Sequence, residues 1–242
     1  MTTLLSIEAA SDSCSVALQI GDDIIQRLEP APRMHSKLLY PMMNSIMSEA
    51  GLSPNQLDAI AFVKGPGSFT GLRIAAATAQ GIGFACDIPL IGVSTLQAMA
   101  QQAYEEHGHQ DVISLMDARM NELYFGYYQL NQQNNLMSEQ ISDRICPQNI
   151  ELNELGVTLG QGPTFGCGHG FKLNDKLSDS LLTACQNQEP EQVLQAKSLF
   201  PLANALYQRN DTLLPENVEL VYLREQSHWK TIKEQKLLKK EK

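Results

Sequence analysis

Residues 65–73 read Gly-Pro-Gly-Ser-Phe-Thr-Gly-Leu-Arg, and the chain on either side leaves this corner one architectural use. An apolar run, Asp58-Ala-Ile-Ala-Phe-Val63, precedes it, and a helix-like segment from Thr70 to Cys86 follows. The pattern predicts strand, tight turn, helix. Pro66 presets φ for the first central position of a turn, and Gly67 is free to take φ > 0 at the second. Ser68 or Thr70 can cap the unpaired amides of the helix. Two readings stay open. Exposed amides at a helix N-terminus can hold an anion, or Gly65, Pro66, Gly67, Ser68 and Thr70 form a rigid corner that sets the helix in place. The Lys-Ser/Thr ending of a phosphate-cradling P-loop is absent, so the loop is not a nucleotide motif by itself.

Strand and helix signals alternate around this corner. Leu4–Ala9, Cys14–Ile20 and Ile24–Leu28 read as three strands of a meander, joined at Ser11-Asp12-Ser13 and Gly21-Asp22-Asp23. A helix from His35, the strand at 59–63, the second helix, a strand at 90–93 and a helix capped by Ser94 or Thr95 follow. This order implies an α/β lobe with a mixed sheet. Polar residues 105–111 suggest a boundary, giving an N-terminal lobe over 1–104, a C-terminal lobe over 105–225 and a basic tail over 226–242. In the second lobe, 112–116 and 122–130 read as strands, and a polar hairpin follows at 131–135. Residues 157–160 read as another strand, and 198–208 as a helix packing through Leu199, Leu202, Leu206 and Tyr207.

The two helices before the boundary carry unusual faces. Leu38, Leu39, Met42, Met43, Ile46 and Met47 make a broad apolar arc, so one edge (38, 42, 46) can meet the sheet while the other (39, 43, 47) awaits a cover. Methionines suit such an adaptable contact. The second helix is built of Ala75, Ala76, Ala77, Ala79, Gly81, Gly83 and Ala85, and each glycine costs about 1 kcal/mol of helix propensity. That sacrifice fits close approach of another backbone. The pair predicts a two-helix face completed by a partner or a second copy.

Chemistry is sparse. Five scattered cysteines without a C-x-x-C pair fit reduced thiols in a cytoplasm, and five histidines without metal spacing argue against a metal site. No apolar run reaches the ~18 residues of a membrane span, and the N-terminus, with Glu at position 8, is unlike a secretory signal. G-x-S-x-G is absent. The run Gly160 to Gly170 misses the dinucleotide spacing, and Pro163 removes an amide, so it reads as a glycine-rich loop. Asp117-Ala-Arg119 is either a functional loop or an internal pair. From Lys230 to Lys242 six lysines face two glutamates, a local +4, which leaves −13 on the rest of a chain of net charge −9. So acidic a body repels nucleic acid; the tail is a solvated terminus or an RNA contact.

Gly65 to Arg73, Ala79-Gln80-Gly81 and Gly92-Val93-Ser94-Thr95-Leu96 together resemble the bacterial TsaB (YeaZ) family. Arg33-Met-His35-Ser, Asp117-Ala-Arg119-Met, Tyr222-Leu-Arg224 and Trp229-Lys230 extend the likeness over nearly the whole chain. The resemblance implies a two-lobed actin-like ATPase (ribonuclease H-like) α/β fold, with mixed sheets flanked by helices. It implies cytoplasmic work in tRNA threonylcarbamoyladenosine biosynthesis, at adenosine 37 of tRNAs reading codons that start with A. The expected role is a non-catalytic scaffold that homodimerises alone, pairs with the catalytic paralogue TsaD and is joined by the ATPase TsaE. Such a scaffold meets tRNA only through the complex and has no cofactor of its own, any ATP or ADP lying at the joint surface. Pairing through the first-lobe helices points to Leu39, Met42, Met43, Ile46, Met47, Arg73, Ala76, Ala77 and Gln80 as the interface. The first hairpin reads Ile7-Glu8-Ala9-Ala10-Ser11 where related members carry Asp-Thr, leaving no hydroxyl at positions 9 and 10 for phosphate. The alternative is an autonomous enzyme of the same fold, a small-molecule kinase or a peptidase-like hydrolase.

Overall fold

Period-two burial organises both halves of the chain. In a computed structural model that describes residues 1–224, β1 (Thr3–Glu8), β2 (Ser13–Ile20) and β3 (Asp23–Pro30) form the expected meander. Thr3 pairs with Ile20 and Glu8 with Ser15, and Gly21 turns the hairpin at a φ of 59°. β4 (Ala59–Gly65) and β5 (Leu90–Ser94) add in parallel, giving the order β3-β2-β1-β4-β5. The second half repeats the plan. β6 (Asp111–Arg119), β7 (Glu122–Asn131) and β8 (Leu136–Pro147) are antiparallel, and β9 (Phe165–Cys167) and β10 (Asn187–Glu189) follow in parallel. Its order, β10-β9-β6-β7-β8, is the first sheet's order read from the other edge. This doubled mixed sheet is the two-lobed actin-like architecture. The lysine-rich tail and Trp229-Lys230 lie outside the described residues.

Helices α1 (His35–Ala50) and α2 (Phe69–Cys86) pack on the first sheet. α3 (Thr95–His107) is capped by Ser94, whose Oγ accepts from the Gln97 amide. It packs against β4 and β5 and also against β6, β7 and β8, so it is a wall shared by the lobes. Accordingly one core runs through Leu4, Phe62, Leu96, Val112, Tyr128 and Phe165, while Ile113, Leu115, Phe125 and Phe171 form a second on the far face of the second sheet. Alternate residues of β6 serve each core.

Three expectations need correction. The boundary at 104/105 cuts through α3, and the chain from about 193 to 221 returns to the first lobe. The Ala196 amide donates to Ser15 Oγ at 3.0 Å, Ser6 Oγ donates to the Ala196 carbonyl at 2.8 Å, and Leu90 and Leu213 exchange backbone hydrogen bonds. Here α5 (Phe200–Gln208) takes the place of the helix expected at 198–208, burying Leu202 and half-burying Leu206 and Tyr207, with Leu199 buried in the turn before it. The strand expected at 157–160 is irregular chain. Its Gly160 amide donates to the Tyr127 hydroxyl, a side-chain partner in place of a ladder. The twelve-residue β8 escaped sequence reading because charged residues and bulges opposite Phe125–Tyr128 interrupt its alternation. A short α4 (Asp179–Ala184) completes the second lobe.

Candidate functional site

The glycine corner faces the first hairpin at touching distance. Gly65 carries the left-handed φ, 117°, and the Gly65–Pro66 peptide is cis. Gly67, expected at positive φ, is needed for space: a Cβ there would lie 2.8 Å from the Cβ and carbonyl oxygen of Ala10. A Cβ on Gly71 would overlap the Ala9 carbonyl oxygen. The Ser68 amide donates to the Ala10 carbonyl at 2.8 Å, and Ser68 Oγ accepts from the Gly71 amide, so Ser68 is the cap and exposed Thr70 is not. The β1–β2 turn thus lies directly against the corner, and the Ser68 amide is paired with it. His35 pins the same turn, its Nε2 lying 2.9 and 3.0 Å from the carbonyls of Ser11 and Ser13 and therefore carrying the proton.

Beneath this turn sits Glu8, with no exposed surface. Its Oε1 accepts from the Ala10 amide at 2.7 Å, whereas Oε2 is buried without a partner. Burial pushes its pKa up to about 8 against the lowering pull of the Ala10 and Ser11 amides. Cys14 beside it is pushed up to about 12, by burial first and then by Glu8.

Across the lobes, Asp117 closes the β6–β7 tip: Oδ1 accepts from the Arg119 amide at 2.8 Å and Oδ2 from Arg119 Nη1 at 2.9 Å. Arg119, Met120 and Asn121 all adopt positive φ, of 65°, 57° and 63°. His169 Nδ1 accepts from the Asp117 amide, and burial lowers its pKa. Between the lobes, Asp143 accepts from Ser94 Oγ and the Tyr128 hydroxyl, and burial raises its pKa. The 160–170 glycines serve packing. A Cβ on Gly160 would overlap Asp111, one on Gly166 would overlap Phe171, and Gly168 at φ 99° leaves no room beside the Leu115 carbonyl.

The helix faces differ most from expectation. Leu39, Met42, Met43, Ile46 and Met47 are all buried, each 7% exposed or less, and only Leu38 is left half-open. With His35 they span an arc of roughly 140° at ~100° per residue, and β2, β3 and α2 cover it entirely. On α2 Ala76 is buried too. Gln80 Nε2 donates to the Pro215 carbonyl at 2.7 Å, and Arg73 Nε donates to the Tyr222 hydroxyl at 3.1 Å. Of the nine positions expected to face a partner, Ala77 and Arg73 are exposed and Gln80 is half-buried. Among the residues the two helices expose are Tyr40 at 72%, Phe84 at 60%, Ala77 and Gly81. Tyr40 lies off the apolar arc of α1 and Phe84 is a single ring in the small-residue run of α2, so no periodic signal marks either. Gly81 has nothing within 4 Å of a notional Cβ, whereas Gly83 is pressed by Pro215 at 2.9 Å.

Among the described residues no His, Cys, Asp and Glu group can hold a metal, and no helix is long and apolar enough to cross a membrane. Four of the five cysteines are buried and all are free.

A family described as TsaD: tRNA N6-adenosine threonylcarbamoyltransferase matches residues 29–149. The tRNA threonylcarbamoyladenosine biosynthesis protein TsaB of Haemophilus influenzae is 34% identical over 236 residues, covering 95% of this chain and 97% of that one. TsaB of Escherichia coli is 33% identical over 238 residues, with the same shares. YeaZ from Pseudomonas aeruginosa superposes with a TM-score of 0.84 at 34% identity, covering 92% of this chain and 100% of its own. Another structure with a TM-score of 0.84 and 34% identity is described as a protein similar to the peptidase YeaZ from Pseudomonas aeruginosa; the match covers 93% of this chain and 100% of that one.

Proposed function

Because this chain belongs to the TsaB family of tRNA threonylcarbamoyladenosine biosynthesis proteins, we propose that it acts in that modification as a non-catalytic scaffold in the cytoplasm. It holds and supports a TsaD-like catalytic paralogue, with a TsaE-like ATPase joining the pair and a homodimer forming when it is alone. The observation that carries the non-catalytic part is the filled corner. Ser68 and Gly71 press on the Ala9–Ala10 backbone, the Ser68 and Ala10 amides are paired within the protein, and positions 9 and 10 bring no hydroxyl to a phosphate. ATP or ADP belongs at the joint surface of the two subunits, if the pair holds it.

The docking face is the exposed side of α1 and α2 around Tyr40, Ala77, Gly81 and Phe84. Rings exposed by 60–72% beside an alanine and a glycine make a patch that a soluble monomer has reason to cover. The test mixes the purified chain with its catalytic paralogue and measures mass by light scattering. Ala77→Arg and Tyr40→Asp should each abolish the pair while leaving the far-ultraviolet spectrum unchanged; an undiminished complex mass rejects this face. Met43→Arg would test folding, since Met43 is in the core. Calorimetry with Mg-ATP tests the other half, and micromolar binding by the isolated chain would point to an enzyme.

A further inference from the structure

Each carbonyl of the β1–β2 turn from Ala10 to Ser13 is taken by the chain around α1 and α2. That of Ala10 accepts from the amide of Ser68, the residue that caps α2, at 2.8 Å. That of Asp12 accepts from the Ala31 amide at 2.8 Å, and the Ala31 carbonyl accepts in turn from Met34, just before α1. Those of Ser11 and Ser13 share the Nε2 proton of His35, the first residue of α1. The amide side of the turn is held from below: Glu8 Oε1 accepts from the Ala10 amide at 2.7 Å, and the Ser11 amide also bonds this carboxyl. α1 packs chiefly on β2 and α2 on β4, two strands that β1 separates. The turn is therefore a hub that sets the N-termini of the two helices against each other, and Glu8 anchors the hub.

This anchor has a state in which it fails. Glu8 Oε2 is buried without a hydrogen-bond partner, which a neutral carboxyl tolerates and a carboxylate does not. To hydrate a charge there the turn must lift. Among the described residues, the titratable groups around it bring no free cation. Cys14 of β2 is a thiol pushed up to about 12, by burial first and then by Glu8. Asp12 of the turn is a second acid and faces His169 across the cleft, and His35 is committed to the Ser11 and Ser13 carbonyls. Lys64 of β4 lies against Gly92 and faces Asp143, and the corner at 65–70 has no titratable side chain.

We propose that Glu8 is a positioning residue for subunit pairing: its neutral carboxyl keeps the β1–β2 turn seated, and the seated turn holds α1 and α2 in the arrangement that the catalytic paralogue meets. Loss of the proton to solvent lifts the turn, loosens both helix N-termini and weakens the pair. This inference rests on the reading of α1 and α2 as the docking face, and adds to it a control that lies in the core behind that face.

Fluorescence anisotropy of a labelled catalytic paralogue, titrated with the full chain between roughly pH 6.5 and 9, tests it. Half of the Glu8 carboxyls are ionised near pH 8, and only the neutral fraction is competent to pair. The apparent Kd of the unaltered chain should therefore double by about pH 8 and rise about tenfold by about pH 9. Glu8→Gln keeps an acceptor for the Ala10 amide and cannot ionise, so its Kd should stay level over the whole range. Ile113→Val, a loss from the second lobe's far core, should lower the urea midpoint and keep the unaltered profile. Parallel profiles for the unaltered chain and Glu8→Gln overturn the proposal. So does a steeper profile for Ile113→Val, because pairing would then follow overall stability. If none of the proteins pairs, or if Ala77→Arg and Tyr40→Asp pair normally, the docking reading falls instead. The amide shifts of Ser68 and Ala31 in the chain alone then decide this one: they should move through about pH 8 in the unaltered chain and not in Glu8→Gln, and their standing still in both overturns it.

Discussion

A carboxyl group with no exposed surface must be either paired or neutral, and Glu8 is neutral at physiological pH. Its folded pKa, about 8, lies above the ordinary 4.5, so the folded protein keeps a proton that the unfolded chain releases. The stability this proton contributes is complete below the ordinary value and lost as pH rises to about 8, where a bare charge would have to stay buried. Urea unfolding should therefore show stability falling by a few kcal/mol between roughly pH 5 and 8, at ~1.4 kcal/mol per pKa unit. Glu8→Gln should remove most of that slope and be the more stable protein near pH 8. A wild-type profile flat across this window would mean that Glu8 is ionised. Gly71 gives a second residue-scale test, because two effects oppose. Helix propensity favours Gly71→Ala by about 1 kcal/mol, but its methyl would overlap the Ala9 carbonyl. Sterics should win, with a net destabilisation of about 1–3 kcal/mol in the urea midpoint.

Gly81 reverses that logic at the scale of the helix. Nothing of its own chain lies near a notional Cβ, so Gly81→Ala should stabilise the isolated protein by up to about 1 kcal/mol. Gly81→Leu should fold as well yet fail to pair, as seen in the light-scattering mass; normal pairing by the leucine variant would remove α2 from the docking face. Most of the elements were legible in the sequence. The meander, the strand–corner–helix unit and the Ser94 cap follow from alternation, turn residues and capping hydroxyls, which are local signals. The sidedness of α1 was not. The same methionines suit a core or a partner, and only the tertiary cover from β2, β3 and α2 decides between them. β8 failed for a related reason: Asp143 reads as a solvent-facing charge, but a bulge turns it inward onto Ser94 and Tyr128. The packing role of the 160–170 glycines was hidden too, because sequence shows their freedom but not the neighbours, Asp111 and Phe171, that require it.

Two lobes of like topology could have been two separately folding units, and the position of α3 argues against it. Its buried Gln101 holds the β8 amide at Met137, and its buried Gln102 holds the amide of Gln195, so both lobes complete their hydrogen bonding on one helix. The apolar core also crosses the junction from Leu4 through Leu96 to Phe165. Residues 213–224 then tie the outer side, from Leu90 and Gln80 on the first lobe to Glu122 on the second. A shared wall and a strap have different energetic weights. Removing the strap's anchor with Arg224→Ala forfeits charge-assisted hydrogen bonds to Glu122 and the Ala118 carbonyl, about 1.5–3 kcal/mol. It leaves the core through α3 untouched. The variant should therefore unfold at lower urea in one cooperative transition, with faster amide exchange confined to the β6–β7 tip around Asn121 and the 213–224 segment. Pairing through α1 and α2 should persist. Two resolved transitions in this variant would mean that the strap, and not α3, makes the lobes fold as one.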